Sequence, residues 1–341
     1  MNAMTAVDQR DDALVASGNL LLSGFTGVQI IFHTFGNPDH YLATLGAMID
    51  GIQSSGIRAR IILAITDQYE FIPERLSDFP FPLFVNPGER MRPSQFEEVV
   101  DEALRRFPRL HFGVGPVAAQ WCSDSMMERI GEIAVKKDLR IHTHLLESNM
   151  QRGWIKESPL VRLRRFGLLN SRASFAHAIW LTSDELAEVK SSGAQLVTCP
   201  HSNQILRAGT APIQSWLDLD IPFAIGLDSA AGRESAATVA EMIVDESQAI
   251  SILSEGGSTA SGLQTSKDEV TWRDWELGIV ENLTIDSRTL ISDGILHNQE
   301  EFDTALHRIN ATMESDLPAR NNRQRQLDGL MSHYLEAITE R

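Results

Sequence analysis

Cysteines, basic residues and long apolar runs are all scarce in this sequence. Its 341 residues include two cysteines, Cys122 and Cys199, which have no metal-ligand spacing, so we expect two reduced thiols. The 30 lysines and arginines are outnumbered by 46 aspartates and glutamates, which gives a formal net charge of −16. A surface this acidic repels phosphate backbones and argues against a nucleic-acid partner.

Two further signals are absent, and both concern location. No apolar run reaches the roughly 18 residues that a membrane-spanning helix needs. The N-terminus, MNAMTAVDQRDD, has no basic region followed by an apolar core, so it does not resemble a signal peptide. We therefore expect a cytoplasmic protein with a small-molecule ligand and with no nucleic-acid or membrane partner, and we leave a homo-oligomer open.

The sequence does contain a repeated unit of apolar strand, loop and helix. Continuous apolar strands that alternate with helices predict a parallel sheet with helices on its outer face. Seven such strands fit either a closed barrel or a doubly wound open sheet. They are predicted at residues 28–35, 58–66, 110–117, 139–146, 173–181, 194–200 and 222–228.

Polar residues near the C-terminal ends of these strands favour the barrel. They are His33, His144, His177, Cys199 and Asp228. In a closed barrel these ends converge on one mouth, whereas an open sheet spreads them along an edge. We therefore predict an α/β fold, a TIM-like (β/α)₈ barrel, over residues 1–253. A glycine- and serine-rich linker is predicted over 254–278, and a small hairpin with an exposed, charged helical tail over 279–341.

Three strand ends carry residues that suit a metal ion. His142 and His144 share one face of a strand, and Glu147 follows where the strand enters its loop. A lone histidine in such a place is more often hydrogen-bonded filler, but the pair followed by a carboxylate favours a functional role. His177 has the same two interpretations, and Asp228 suits a helix cap as well as a ligand.

Taken together, these residues favour a metal site over separate structural roles. Two imidazoles and one carboxylate, from His144, His177 and Asp228, are ligand types that suit Zn²⁺ or Fe²⁺. Such an ion makes bound water acidic enough to act as a nucleophile near neutral pH. A carboxyl group must then move protons to the leaving group, and Glu147 is placed to do so.

Four motifs in the segment from Gly113 to Glu246 resemble one known family. They are HTHLLES, FAHAIWL, TCPHSNQIL with the later APIQSWL, and IGLDSAAG. In this order they resemble the amidohydrolase superfamily, in the branch that contains cytosine deaminase, adenosylhomocysteine-type deaminases and triazine hydrolases. The resemblance implies a metal-dependent hydrolase that cleaves a non-peptide C–N bond in a small, cyclic nitrogenous substrate. It also implies one divalent metal ion, with Zn²⁺ favoured over Fe²⁺.

The resemblance assigns a role to each matching residue. His144 matches the metal-binding histidine of the family's fifth strand, and Glu147 matches its proton-shuttling glutamate. His177 matches the sixth-strand histidine that polarises the substrate or water and sometimes ligates the metal. Asp228 matches the eighth-strand aspartate, which binds the metal and takes the proton of the water.

The same resemblance suggests three substrate-binding residues. Ser202 and Asn203 match the Ser-Asn pair in the loop after the family's seventh strand. Trp121 lies in a segment that resembles one lining the family's pocket, although packing of a loop aromatic on a helix explains it equally well.

The sequence departs from the family at its first strand, which normally carries His-x-His. No histidine precedes Val28, so we expect an incomplete barrel with its first strand missing and a weaker metal site. The open edges would need cover, which the hairpin near Ile285 or a neighbouring subunit could provide. The family's accessory β-sandwich is reduced to this hairpin. The alternative function is therefore an inactive barrel remnant that binds a small molecule or a protein partner.

Overall fold

The computed structural model describes residues 5–68, 90–154, 157–228, 243–263, 283–285, 288–292 and 295–311. Seven parallel strands form one sheet in which each strand pairs with the next along the chain. The seven predicted strands are confirmed, each with shorter bounds than the sequence pattern suggested. They are β1 (Gly27–Phe32), β2 (Arg58–Ile65), β3 (His111–Pro116), β4 (Arg140–Leu145), β5 (Ala173–His177), β6 (Gln195–Thr198) and β7 (Phe223–Ile225).

The sheet is curled into a barrel wall. In a flat sheet, three spacings of ~4.8 Å would place β1 about 14 Å from β4. Instead, Nε2 of Gln29 on β1 lies 3.1 Å from Nδ1 of His142 on β4 and 3.4 Å from Oγ of Ser174 on β5. Because side chains meet across the inside of the sheet, the predicted barrel is confirmed over the open sheet. The C-terminal ends of its strands face one mouth.

Helices cover the outer face of the sheet, and local caps set where they begin. The Thr5 side chain accepts the N–H of Asp8 before the first helix, and Asn37 accepts the N–H of His40 before the second. Within the described ranges, no helix is both long and apolar enough to cross a bilayer. The helices are α1 (Ala6–Leu22), α2 (Pro38–Ser55), α3 (Pro93–Arg106), α4 (Asp124–Lys136), α5 (Asn149–Trp154), α6 (Pro159–Arg165), α7 (Ser183–Ser192), α8 (Pro200–Ile205), α9 (Ile213–Asp218), α10 (Glu246–Ser251) and α11 (Gly257–Ser261).

The main core lies between the sheet and these helices. Ile61 and Leu63 of β2, Phe96 of α3, Phe175 of β5 and Trp216 of α9 are completely buried members of one apolar cluster. Burying each side chain of this size contributes about 1.5–3 kcal/mol to folding. The cluster therefore fixes the strands whose ends carry the predicted site.

The expected linker is helical where the structure describes it. Residues 252–256 form a π-helical turn that leads into α11, and Leu263 is buried, so the first part of the segment predicted as a glycine- and serine-rich linker is helical and packed. Gly256 packs so closely against β7 that a Cβ there would lie 2.2 Å from the carbonyl oxygen of Phe223. Leu263 lies against Gly27 of β1. One segment thus contacts both end strands of the sheet, and residues 264–278 lie outside the described residues.

The predicted hairpin is present, but it does not cover a sheet edge. Antiparallel strands β8 (Leu283–Ile285) and β9 (Arg288–Ser292) pair there, and β10 (Ile295–Leu296) adds a third strand. Ile291 and Leu296 are buried in a second apolar cluster with residues of α1 and α2. The hairpin therefore packs on the outer helices instead of filling the place of a barrel strand.

The tail that follows is helical over residues 299–311. Phe302 and Ala305 are buried in the same second cluster, so one side of the predicted exposed helix packs against the rest of the protein at these residues. Residues 312–341 lie outside the described residues. The division of the chain into a barrel and an appended region at residue 253 stays a prediction.

Candidate metal site at the mouth of the barrel

His144 lies near the end of β4, and one of its two ring nitrogens makes a hydrogen bond to the backbone. Its Nδ1 is 2.7 Å from the carbonyl oxygen of Val117, which can only accept a hydrogen bond. Nδ1 therefore carries the proton, and the lone pair of Nε2 is available to a metal ion. Burial and the nearby His177 lower the pKa of His144, which keeps the imidazole neutral as a metal ligand must be.

His177 ends β5 and is held in the same way. Its Nδ1 lies 3.0 Å from Oδ1 of Asn203, so the amide oxygen accepts the Nδ1 proton. Nε2 of His177 is consequently the free nitrogen, and it lies 3.9 Å from Oε1 of Glu147. The ring is 1% exposed, whereas the Glu147 side chain is 22% exposed at the mouth.

Asp228 follows β7 and receives a hydrogen bond from the neighbouring loop. Oγ of Ser202, which is completely buried, donates to Oδ2 of Asp228 at 2.5 Å. Hydrogen bonds of this kind to a charged oxygen are among the stronger ones in proteins. The carboxylate is therefore oriented by α8, the helix that carries Ser202.

The structure brings three of the predicted site residues into one group. A ligand atom from each of Glu147, His177 and Asp228 lies within 4.8 Å of the other two. His144 stands beside this group, since its ring stacks on that of His177 with centroids 5.5 Å apart and an interplanar angle of 22°. One imidazole nitrogen, two carboxylates and an adjacent second imidazole are donors that fit a divalent ion such as Zn²⁺ or Fe²⁺.

Backbone strain is concentrated around the same group. Leu146, His177, Ala178 and Asp228 have φ values of 44°, 66°, 50° and 61°, in the left-handed region that residues with a side chain rarely adopt. Each such residue costs about 1 kcal/mol or more, and conformations of this kind cluster at functional sites. The strand ends are held in unusual conformations where the candidate ligands lie.

Comparison with known proteins decides the family. A model described as the amidohydrolase family matches residues 31–270 of the chain. This chain belongs to the amidohydrolase family. The resemblance inferred from the four motifs is confirmed.

The curated relatives of this amidohydrolase are longer proteins. It is 34% identical over 145 residues to the 5-methylthioadenosine/S-adenosylhomocysteine deaminase of Nitratidesulfovibrio vulgaris, which is 41% of this chain and 33% of the relative. It is 25% identical over 274 residues to the protein of the same name from Teredinibacter turnerae, which is 75% of this chain and 57% of the relative. The matched region thus spans from a third to just over half of these relatives.

Solved structures share the fold at low sequence identity. The zinc complex of atrazine chlorohydrolase from Arthrobacter aurescens aligns with a TM-score of 0.69 and 17% identity, covering 90% of this chain and 76% of that one. An adenosine deaminase from Xanthomonas campestris with bound zinc gives a TM-score of 0.69 and 18% identity, covering 91% and 77%. These likenesses establish the TIM-like barrel architecture.

The remaining predicted site residues of this amidohydrolase are all buried. Ser202 and Asn203 are 1% and 3% exposed, and the contacts described above join them to Asp228 and His177. Trp121 is 8% exposed. Its carbonyl oxygen accepts a hydrogen bond from Oγ1 of Thr66 at 2.5 Å, so its backbone contacts the residue that follows β2.

His142 lies below the mouth and belongs to the barrel interior. Its Nδ1 is 2.7 Å from Oγ of Ser174 and also faces Gln29. Burial, with a smaller effect of His144, lowers the pKa of His142 to about 3. The ring is therefore a neutral part of a buried polar layer.

Three residues near the site had no predicted role. Burial and the nearby His144 lower the pKa of His33 to about 4. Burial and the charges of Asp228 and Glu147 raise the pKa of Cys199, which keeps it a thiol. Both residues lie near the C-terminal ends of strands, and that position is the signal that the sequence offers. Gln151, which contacts the backbone of Glu147, lies in a helix and carried no such signal.

Proposed function

We propose that this amidohydrolase is a hydrolase that removes an amino group from a small, cyclic nitrogenous compound. The grouping of Glu147, His177 and Asp228 within 4.8 Å carries the proposal, because it joins a metal-binding nitrogen to two carboxylates that can bind a cation or move protons. The names of the curated relatives, deaminases of 5-methylthioadenosine and S-adenosylhomocysteine, support an adenine-type ring as the substrate group.

The residues divide between holding an ion and moving protons. His144, His177 and Asp228 would hold one divalent ion, and the zinc named in the two structural neighbours supports Zn²⁺ over Fe²⁺. The ion would supply a water molecule of lowered pKa and a positive charge that polarises the substrate. Asp228 would accept a proton of that water as its oxygen bonds to the ring carbon, and Glu147 would give a proton to the amine nitrogen, which leaves as ammonia when the C–N bond breaks. The proton on Asp228 would then return to Glu147.

Ser202 and Asn203 hold two of these residues, Asp228 and His177, in position through hydrogen bonds. The Ser202 hydroxyl orients the Asp228 carboxylate, and the Asn203 amide oxygen holds His177 in the tautomer that exposes Nε2. We propose that this positioning is their main contribution, in addition to any contact with substrate. Trp121 remains our proposed wall of the substrate pocket.

The proposal is tested by measuring the metal content and the turnover of the same protein. We expect the purified chain to contain about one zinc ion by elemental analysis and to release ammonia from 5-methylthioadenosine or adenosine. Asp228→Ala and His144→Ala should lose both, whereas Glu147→Gln should keep the zinc and lose turnover. Absence of zinc and of turnover in the unaltered protein would overturn the proposal in favour of a non-catalytic binding barrel.

A further inference from the structure

Gln151, the third residue of α5, forms a capping box with Ser148, and its side chain also accepts a hydrogen bond from the backbone of the preceding residue, Glu147. Its Oε1 lies 2.7 Å from the N–H of Glu147 and 3.4 Å from the N–H of Ser148. Backbone N–H groups only donate, so the atom that faces them is the amide oxygen and not the amide nitrogen. The side chain is 6% exposed, so the contact is shielded from water.

The contact falls at the point where the chain leaves β4. Leu146 has a φ of 44°, which turns the chain sharply, and Glu147 is the next residue. Its carboxylate, 3.9 Å from Nε2 of His177, depends on this turn for its position. A displacement of about 1 Å in a group that transfers protons can lower the rate by about 100-fold.

Gln151 is itself anchored on both sides. Its own N–H donates to Oγ of Ser148 at 3.3 Å, which closes a reciprocal pair of contacts around the start of α5. The next residue, Arg152, pairs through Nη1 with Oε1 of the buried Glu185 on α7 at 2.9 Å. This ion pair joins α5 to α7. It therefore holds the Gln151 side-chain oxygen in place, and that oxygen in turn holds the backbone turn at Glu147.

We infer that Gln151 is a positioning residue, which sets the Glu147 carboxylate beside His177 and Asp228 for proton transfer. The inference rests on the proposed function, because it gives Glu147 the proton-transfer role. It adds a residue whose side chain acts through the backbone of Glu147, without touching the reacting atoms. The geometry needs only an acceptor at this place, so a carboxylate of the same length should serve.

Four variants of the zinc-loaded 341-residue chain test this. Gln151→Met removes the acceptor at nearly constant length, and Gln151→Asn keeps the amide but withdraws it by one methylene. Both should lower kcat by about 10- to 100-fold, with KM within about twofold and with zinc content unchanged. Gln151→Glu keeps an acceptor of the same reach and should retain kcat to within about fivefold. The exposed Gln214 on α9 provides the matched control, and Gln214→Met should leave kcat unchanged.

Hydrogen exchange of the Glu147 amide gives a second measurement that needs no turnover. We expect exchange at least tenfold faster in Gln151→Met and Gln151→Asn than in the unaltered protein and in Gln151→Glu. Equal exchange in all of them, or an equal kcat loss in Gln151→Glu, would overturn the positioning role alone. A different result is that Gln151 protects the Glu147 amide from exchange although the unaltered protein has no deaminase activity. That result would overturn the proposed function, and the contact would then have no catalytic purpose.

Discussion

Ser202 donates a hydrogen bond from Oγ to Oδ2 of Asp228 at 2.5 Å, across 26 residues of sequence. The bond joins the first turn of α8 to Asp228, three residues beyond the end of β7, and so links the loops that follow two neighbouring strands. An oriented carboxylate binds a cation more tightly than one that must first be ordered, because the cost of ordering is met during folding.

Ser202→Ala should therefore weaken zinc binding by about 10- to 100-fold while the fold is retained. The change removes one hydroxyl, and a chelator competition that measures the zinc dissociation constant checks the effect. Ser215→Ala, on the exposed side of α9, is the matched control and should leave the constant unchanged. An unchanged zinc affinity in Ser202→Ala would show that Asp228 needs no orientation by this hydroxyl.

We expect substitution of Asn203 to lower the catalytic rate more than the stability of the fold. Asn203→Ala removes the acceptor of the His177 Nδ1 proton, which frees the ring to rotate or to exchange its tautomer. We expect kcat for ammonia release to fall by about 10- to 100-fold. Asn203→Asp keeps an acceptor and should recover most of this loss. Equal losses in the two variants would mean that Asn203 serves through its shape and not through the hydrogen bond.

The strands and the candidate ligands could be predicted because they follow from local patterns. Within the predicted strand 58–66, residues 61–65 are apolar on both faces, which is typical of a buried parallel strand, and the structure has β2 at Arg58–Ile65. A histidine or aspartate at the end of such a run is visible in the sequence without knowledge of its partners. The gathering of Glu147, His177 and Asp228 then follows from the convergence of strand ends in a barrel.

The contacts that hold these residues could not be predicted, since they depend on loop conformation. The left-handed backbone at His177 and Asp228 is unfavourable locally and exists because the surrounding structure imposes it. The helical packing of residues 254–263 could not be predicted for a related reason. Glycine and serine are typical of linkers, but here the absence of a side chain at Gly256 permits close packing on the carbonyl oxygen of Phe223.

The buried histidines predict how stability changes with pH. The pKa of His142 is lowered to about 3 and that of His33 to about 4, against an ordinary value of 6.5. Below pH 6.5 the unfolded state therefore binds protons that the native state does not bind. As a result, the free energy of unfolding decreases as the pH is lowered. Each histidine should contribute a slope of about 1.4 kcal/mol per pH unit until its native pKa is reached.

Urea unfolding of the metal-free protein at pH 7.0, 6.0 and 5.0 measures this slope. Carboxylates also titrate as the pH falls, so the comparison is with His142→Gln, which keeps a polar side chain beside Ser174. The variant should show a slope shallower by about 1.4 kcal/mol per pH unit between pH 6 and pH 5. Identical slopes in the two proteins would mean that His142 can be protonated in the native state.

Gly115 connects the barrel wall to the candidate site. A Cβ at this position on β3 would lie 1.8 Å from the carbonyl oxygen of His142 on β4, and backbone cannot yield as a flexible side chain can. Gly115→Ala should force the two strands apart, which lowers the free energy of unfolding by about 1–3 kcal/mol. The same displacement should disturb the bond between His144 and the Val117 carbonyl, so zinc affinity should fall with stability. Gly153, where a Cβ would have no neighbour within 4 Å, provides the control. Gly153→Ala should be neutral or slightly stabilising, and a Gly115→Ala protein as stable as this control would contradict the steric argument.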